Sequence, residues 1–303
     1  MYRKIMSFLE AWKDSEHRKP LILQGARQVG KTYSILEFGR THYENVAYFN
    51  FETNPKLNET FEENISPDYL IPILSHIAGQ TIVREKTLIV FDEVQLCERA
   101  LTSLKYFCED APDYHIIVAG SLLGVAVNRA KFSFPVGKVD MKTLYPMDME
   151  EFMVACGESA LVEQIKKCFA EDTPLPSALH DAAMQLYRQY LIVGGMPECV
   201  MQFVETKDYI LVRHTQDTIL ASYLNDMSKY NNLNEIKKTR LAYDNITVQL
   251  SKKNTRFQYK LIKKGGRASE FENAIEWLCL SGIVSQVYKV EQIKKPLENY
   301  RDI

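Results

Sequence analysis

The octapeptide GARQVGKT at positions 25–32 constrains this chain more than any other stretch. It follows the apolar run PLILQ and precedes YSILEFGRTHY, so it has to join a strand to a helix within a few residues. Its spacing, G-x-x-x-x-G-K-[ST], is that of a phosphate loop. Glycines let successive backbone N–H groups turn inward around phosphate oxygens, and the helix that follows aims the positive end of its dipole at the same place. On this reading Gly25, Ala26, Arg27, Gln28, Val29, Gly30, Lys31 and Thr32 form a nucleotide cradle. Lys31 would reach the β- and γ-phosphates, and the Thr32 hydroxyl would be a Mg²⁺ ligand. The competing reading is a glycine-containing turn with a chance match, and the rest of the chain decides between the two.

LIVFDEVQ supplies what a phosphate cradle lacks. Four apolar residues followed by Asp92 put a carboxylate at the C-terminal tip of a buried strand, where ligands of open α/β sheets gather. Asp92 is therefore the second candidate metal residue, and Glu93 the candidate general base for an attacking water. A complete additional strand, VAYFNF, lies between the loop and this Asp-Glu pair. That is the order of elements in ATPases with an extra catalytic glutamate, in which the strand after the acidic pair inserts beside the loop strand. The expected sheet order is 5-1-4-3-2. HIIVAGS would be the inserted strand, ending in Ser121 as a polar sensor of the reacting phosphate.

Four short runs, LILQG (21–25), VAYFNF (46–51), TLIVFDE (87–93) and HIIVAGS (115–121), are continuously apolar, as strands covered on both faces must be. VDMKTLYP (139–146) alternates and suits an edge. The helical patterns KTYSILEFGRTH, DYLIPILSHIAG and ERALTSLKYFCED separate them, which predicts a parallel α/β domain over residues 1–146. Helix-like segments then predict a helical domain over 147–231. In residues 232–303, LNEIKKTRLAYD, ITVQLSKK and RASEFENAIEWLCLSG read as helices and IVSQVYKV as a strand, together a winged-helix-like module. The six cysteines include no C-x-x-C pair, which argues against a zinc ribbon and a disulfide framework. No apolar run approaches the roughly 18 residues of a membrane span and the N-terminus lacks a secretory core, so a cytoplasmic location is expected.

Charge is unevenly placed. The whole chain carries a formal −2, yet between Lys237 and Arg267 ten basic residues face a single acidic one, Asp244. A basic winged helix is suited to a nucleic-acid backbone, which makes DNA a candidate partner of the 237–267 segment. A solvated face, or docking onto the acidic remainder of the protein, is the other reading, and both stay open.

Taken together, KPLILQGARQVGKT, YFNFE, FDEVQ, LKYFCEDAPDYHIIVAGSLLG, FPVGKV, LYPMDMEEF, LIVGGMPECV and KPLENY resemble the prokaryotic AAA-type ATPases that carry a C-terminal domain of unknown function. The resemblance implies a P-loop ATPase core, a helical lid and a winged helix, with ATP as the nucleotide. It also implies a restriction-endonuclease-like domain further on. The sequence given reaches Ile303 without matching that domain, so nuclease activity is not carried over. GGMPE (194–198) matches a family signature whose chemistry does not follow from its residues; its residues favour a plain structural reading, a helix-ending glycine turn followed by a Pro-started segment. Fast hydrolysis also needs an arginine at the transition state; Arg27, Arg129, Arg188 and Arg240 are candidates among which the sequence does not choose. The expectation is an Mg²⁺-dependent ATPase that undergoes a conformational change, with a protein partner or a second copy of the chain as further candidates. Its rivals are a slow nucleotide-gated switch acting on DNA or protein and, more weakly, a P-loop kinase.

Overall fold

The sheet is built from the strands that the apolar runs anticipate. A computed structural model describes residues 1–120, 135–229, 233–253 and 256–290, and the chain divides into two compact units, Met1–Asp226 and Met227–Ile303. In the first, β1 (Leu21–Gln24), β2 (Asn45–Asn50), β3 (Thr87–Asp92), β4 (His115–Ala119) and β5 (Asp140–Thr143) form one sheet in the order β2-β3-β4-β1-β5. Read from the other edge this is the expected 5-1-4-3-2, and every pairing is parallel. The central strands β3 and β4 are buried at every residue, whereas the edge strands β2 and β5 carry half-buried and exposed side chains. A parallel sheet hides its centre beneath crossover helices and leaves only its edges wet.

Helices α1 (Ile5–Lys13), α2 (Lys31–His42), α3 (Leu57–Glu63), α4 (Pro67–Ala78) and α5 (Glu98–Asp110) accompany the strands. Local chemistry sets their ends. Arg40 and His42 stand in the last turn of α2, where the dipole favours cations. α4 opens on Pro67 and closes on Gly79 in the left-handed conformation. Beneath β2 and β3 a ring cluster of Phe51, Phe61 and Phe91, with centroids 5.5–5.9 Å apart, holds the loop after β2 against the end of β3. The rigid tip that carries Asp92 is thus backed by aromatic packing.

Beyond the sheet come α6 (Met149–Ala155), α7 (Ser159–Ala170), α8 (Ser177–Val193), α9 (Pro197–Thr206) and α10 (Tyr209–Lys229). α6 starts with a reciprocal capping box between Asp148 and Glu151. The second unit contains α11 (Leu233–Leu250), a single 3₁₀ turn at Tyr259–Leu261 and α12 (Ala268–Leu280). Its core comprises Ala242 of α11 with Phe271, Ala274, Ile275, Trp277 and Leu278 of α12. Two expectations need correction here. LNEIKKTRLAYD and the ITVQL of ITVQLSKK are one continuous helix that ends at Leu250, because nothing between Asp244 and Ile246 interrupts the backbone ladder. The run IVSQVYKV forms no extended strand among the described residues, only an isolated bridge at Val290, so the wing of a winged helix is not seen there.

Candidate functional site: the phosphate loop and the tip of strand β3

The loop is shaped by backbone that most residues would refuse. Gly25 has φ +148°, and a Cβ there would sit 2.2 Å from the Leu144 carbonyl oxygen, so only glycine lets β1 leave the sheet beside the chain that follows β5. Gln28 (φ +64°) and Gly30 (φ +89°) turn the chain back, and α2 starts at Lys31 without a side-chain cap on its first amides. Those amides are orphan donors of the kind that bind phosphate. Ala26 and Val29 are buried and pin the loop from below.

Lys31 is only 7% exposed, and its ammonium donates to the carbonyls of Gly25 (3.0 Å) and Ala26 (2.8 Å). Burial lowers its pKa to about 8, against the pull of Glu93 and Asp92, which favour the charge, while Arg27 opposes it. The Thr32 hydroxyl donates to Asp92 Oδ2 at 2.8 Å. Asp92 is 4% exposed, and its Oδ1 accepts from the Glu93 amide at 3.0 Å. A hydroxyl and a carboxylate brought together by α2 and β3 are hard oxygen donors, and this pair fits Mg²⁺ rather than a soft metal. Among the described residues no cluster of three or more His, Cys, Asp or Glu offers another metal site.

Glu93 sits in the left-handed region (φ +52°, ψ +39°), uncommon for a residue with a Cβ, and its carboxylate accepts a hydrogen bond from the Gln95 amide. The buried Gln95 Oε1 has no protein partner. Ser121 and Arg129 lie outside the described residues. Arg27 pairs its guanidinium with the buried carboxylate of Asp226 near the end of α10, a contact that raises the arginine's pKa. The Tyr223 hydroxyl, one turn earlier, donates to the Arg27 carbonyl at 2.8 Å. Arg188 is exposed on α8, and Arg240 belongs to the second unit.

Several residues here carry no sequence signal. Arg3 is buried and makes three contacts, to the Val29 carbonyl (2.8 Å), the Tyr145 carbonyl (2.8 Å) and Glu151 (3.1 Å), tying the N-terminus to the loop and to α6. Tyr48 donates to Asp92 Oδ2 at 2.8 Å, and burial together with that carboxylate pushes its phenol up to about 12. GGMPE does have a findable signal, its paired glycines. Gly194 (φ +74°) ends α8; Gly195 lies so close to residue 147 that a Cβ would stand 2.1 Å from the Met147 carbonyl oxygen; and Pro197 opens α9. A Cβ at Gly30 would lie 3.7 Å from Pro197 Cγ, so the signature packs against the loop that opens α2.

A family model described as an AAA domain matches residues 17–153, and a domain of unknown function, DUF8612, matches residues 184–300. No curated protein matches the sequence. Among solved structures, the Walker-type ATPase PABY2304 of Pyrococcus abyssi is 14% identical with a TM-score of 0.56, covering 92% of this chain and 89% of that one. ORC2 of Aeropyrum pernix is 12% identical with a TM-score of 0.45, covering 94% and 87%. The RuvB Holliday junction branch migration motor of Thermotoga maritima is 14% identical with a TM-score of 0.39, covering 94% and 88%.

Proposed function

We infer that the chain belongs to the AAA-type P-loop ATPases that carry a C-terminal domain of unknown function and, from that premise, that it binds ATP with Mg²⁺ and hydrolyses it. The observation that carries this reading is the 2.8 Å hydrogen bond from Thr32 to Asp92, beside a buried Lys31 in a loop of left-handed turns. Gly25 to Thr32 hold the triphosphate through backbone amides, and Lys31 leaves the Gly25 and Ala26 carbonyls for the phosphates. Thr32 and Asp92 hold Mg²⁺, which supplies charge neutralisation when bound. Glu93 takes a proton from the attacking water, and Ser121 is the sensor at the end of the β4 run. Residues 1–146 act as the catalytic core, 147–231 as the helical lid and 232–303 as a basic C-terminal module.

The output is a movement of α10. Arg27 and its carbonyl are held by Asp226 and Tyr223, so phosphates that draw Arg27 inward compete with the helix for it. One observation favours a slow nucleotide-gated switch as the second reading: the Glu93 carboxylate is engaged by Gln95 and sits in a left-handed turn. DNA is the candidate partner of the 237–267 segment, where Lys237, Arg240, Lys263, Lys264 and Arg267 are exposed. A protein partner or a second copy of the chain is an alternative receiver. No helix among the described residues is long and apolar enough to cross a membrane.

The test is ATP turnover with Mg²⁺, with and without duplex DNA, for the intact chain and for Glu93→Gln. Turnover that depends on Glu93 supports the hydrolase; tight ATP binding without Glu93-dependent turnover supports the switch. Stimulation by DNA that fades steeply with salt supports the basic segment as its contact.

A further inference from the structure

Strand β2 places an unexpected donor at the metal-side carboxylate. β2 and β3 run parallel with Asn50 opposite Asp92 and Tyr48 opposite Val90. The two-residue period of a strand puts Tyr48 and Asn50 on one face, with the buried Ala47 and Phe49 on the other. Tyr48 is 38% exposed, yet its hydroxyl is fully engaged. It donates to Asp92 Oδ2 at 2.8 Å, the same oxygen that accepts from Thr32, and it accepts from Asn50 Nδ2 at 3.2 Å. Asn50 is itself fixed, because its Oδ1 accepts from the amides of Glu52 (2.9 Å) and Thr53 (3.0 Å). An unbroken run of hydrogen bonds thus leads from the loop after β2 to the carboxylate at the end of β3.

We propose that Tyr48 is a positioning residue for the divalent cation: it fixes the rotation of the Asp92 carboxylate and so sets how much Mg²⁺ nucleotide binding requires. This rests on the ATP-binding reading of the same loop. Among the described residues two donors converge on Oδ2, and Oδ1 has only the Glu93 amide. Oδ1 is therefore the atom with acceptor capacity left to face a cation or its water. A hydrogen bond to a charged group is among the stronger kinds, and partners behind a metal ligand commonly govern metal affinity by about 10- to 100-fold. Without the phenol the carboxylate keeps Thr32 on Oδ2 and the Glu93 amide on Oδ1, and its preferred rotation is held less tightly.

Fluorescent ATP analogue binding, titrated with Mg²⁺ and repeated in chelator, distinguishes this role from a general structural one. In Tyr48→Phe the half-saturating Mg²⁺ concentration should rise about tenfold, while metal-free nucleotide affinity stays within about twofold of wild type. In an Asp92→Asn background the same substitution should add less than about twofold, since its target is gone. An unchanged Mg²⁺ requirement, or equal losses with and without metal, overturns the proposal while leaving the ATP-binding reading intact. A wild-type chain that binds no nucleotide under any condition removes both.

Discussion

Two ion pairs, one in each unit, show how differently a charge can be used. In the first, Arg3 and Glu151 have side chains only 5% and 6% exposed, and each makes further hydrogen bonds to backbone. In the second, Lys263 and Glu270 meet at 3.3 Å with side chains 62% and 35% exposed. Burial makes a charge costly unless its geometry is satisfied, so the partners of a buried charge specify one arrangement. An exposed pair is compensated by water and specifies little. The same contrast separates the phosphate loop from the basic 237–267 segment. Around the loop Lys31, Asp92 and Arg27 each have defined partners, whereas on the segment Lys238 and Lys263 pair with Glu235 and Glu270 through side chains that stay partly in water.

The largest effects belong to the buried side of that comparison. Glu93→Gln removes the proposed base while keeping size and hydrogen bonding, and should lower turnover by about 100-fold or more with ATP affinity nearly unchanged, measured by steady-state hydrolysis and by equilibrium binding. Retained turnover would put the base elsewhere. Arg3→Ala leaves Glu151 buried without its cation and frees the Val29 carbonyl. Breaking such a pair costs about 3 kcal/mol or more, and a thermal melt should register it as a clear fall in midpoint. A midpoint within a degree of wild type would mean that the buried pair specifies no more than an exposed one does.

Legibility in the sequence follows the same division. The strands, α2, α5 and the placement of the candidate residues Lys31, Thr32, Asp92 and Glu93 at the loop and the end of β3 could be read because each signal is local: a run of apolar residues, a motif of fixed spacing, a carboxylate at a strand end. Tyr48, Gln95 and Arg3 could not. Tyr48 is one of many half-exposed tyrosines until β2 pairs with β3, and Arg3 reaches residues 26 and 148 positions away. Asp226 meets Arg27 across 199 positions, a relation no local pattern contains. In the second unit the two helical patterns on either side of Asn245 join into one helix, and the Asn245 side-chain amide donates to the Leu261 carbonyl. The apolar run 283–290 carried strand propensity, and propensity without a partner strand decides nothing.

A middle-sized effect comes from Lys31. Its pKa is lowered to about 8 by burial, and phosphates arriving beside it favour the charged form, so the pKa rises on binding. Above about pH 8 the free protein has lost part of that proton and the complex regains it. ATP binding should therefore take up protons in this range, and affinity should be flat below pH 8 and fall as pH rises above it. Calorimetry in two buffers of different ionisation enthalpy measures the uptake, and Lys31→Met should abolish it. Uptake that survives in Lys31→Met would assign the proton to another group.

The smallest effect is expected on the exposed side, and it is the sharpest check on the comparison. Lys263→Gln removes one partner of a 3.3 Å pair, as Arg3→Ala does in the first unit, yet Lys263 and Glu270 both already have water as an alternative partner. The thermal midpoint should move by no more than about one degree. If the basic segment serves as a phosphate-backbone contact, the same substitution has a second consequence that stability cannot show: duplex DNA affinity should fall modestly and its dependence on salt should flatten by roughly one ion. A variant with wild-type stability and an altered salt slope gives Lys263 a partner outside the chain. A wild-type slope leaves it as part of a solvated face, and directs the search for the output of the ATP cycle to the Asp226 end of α10.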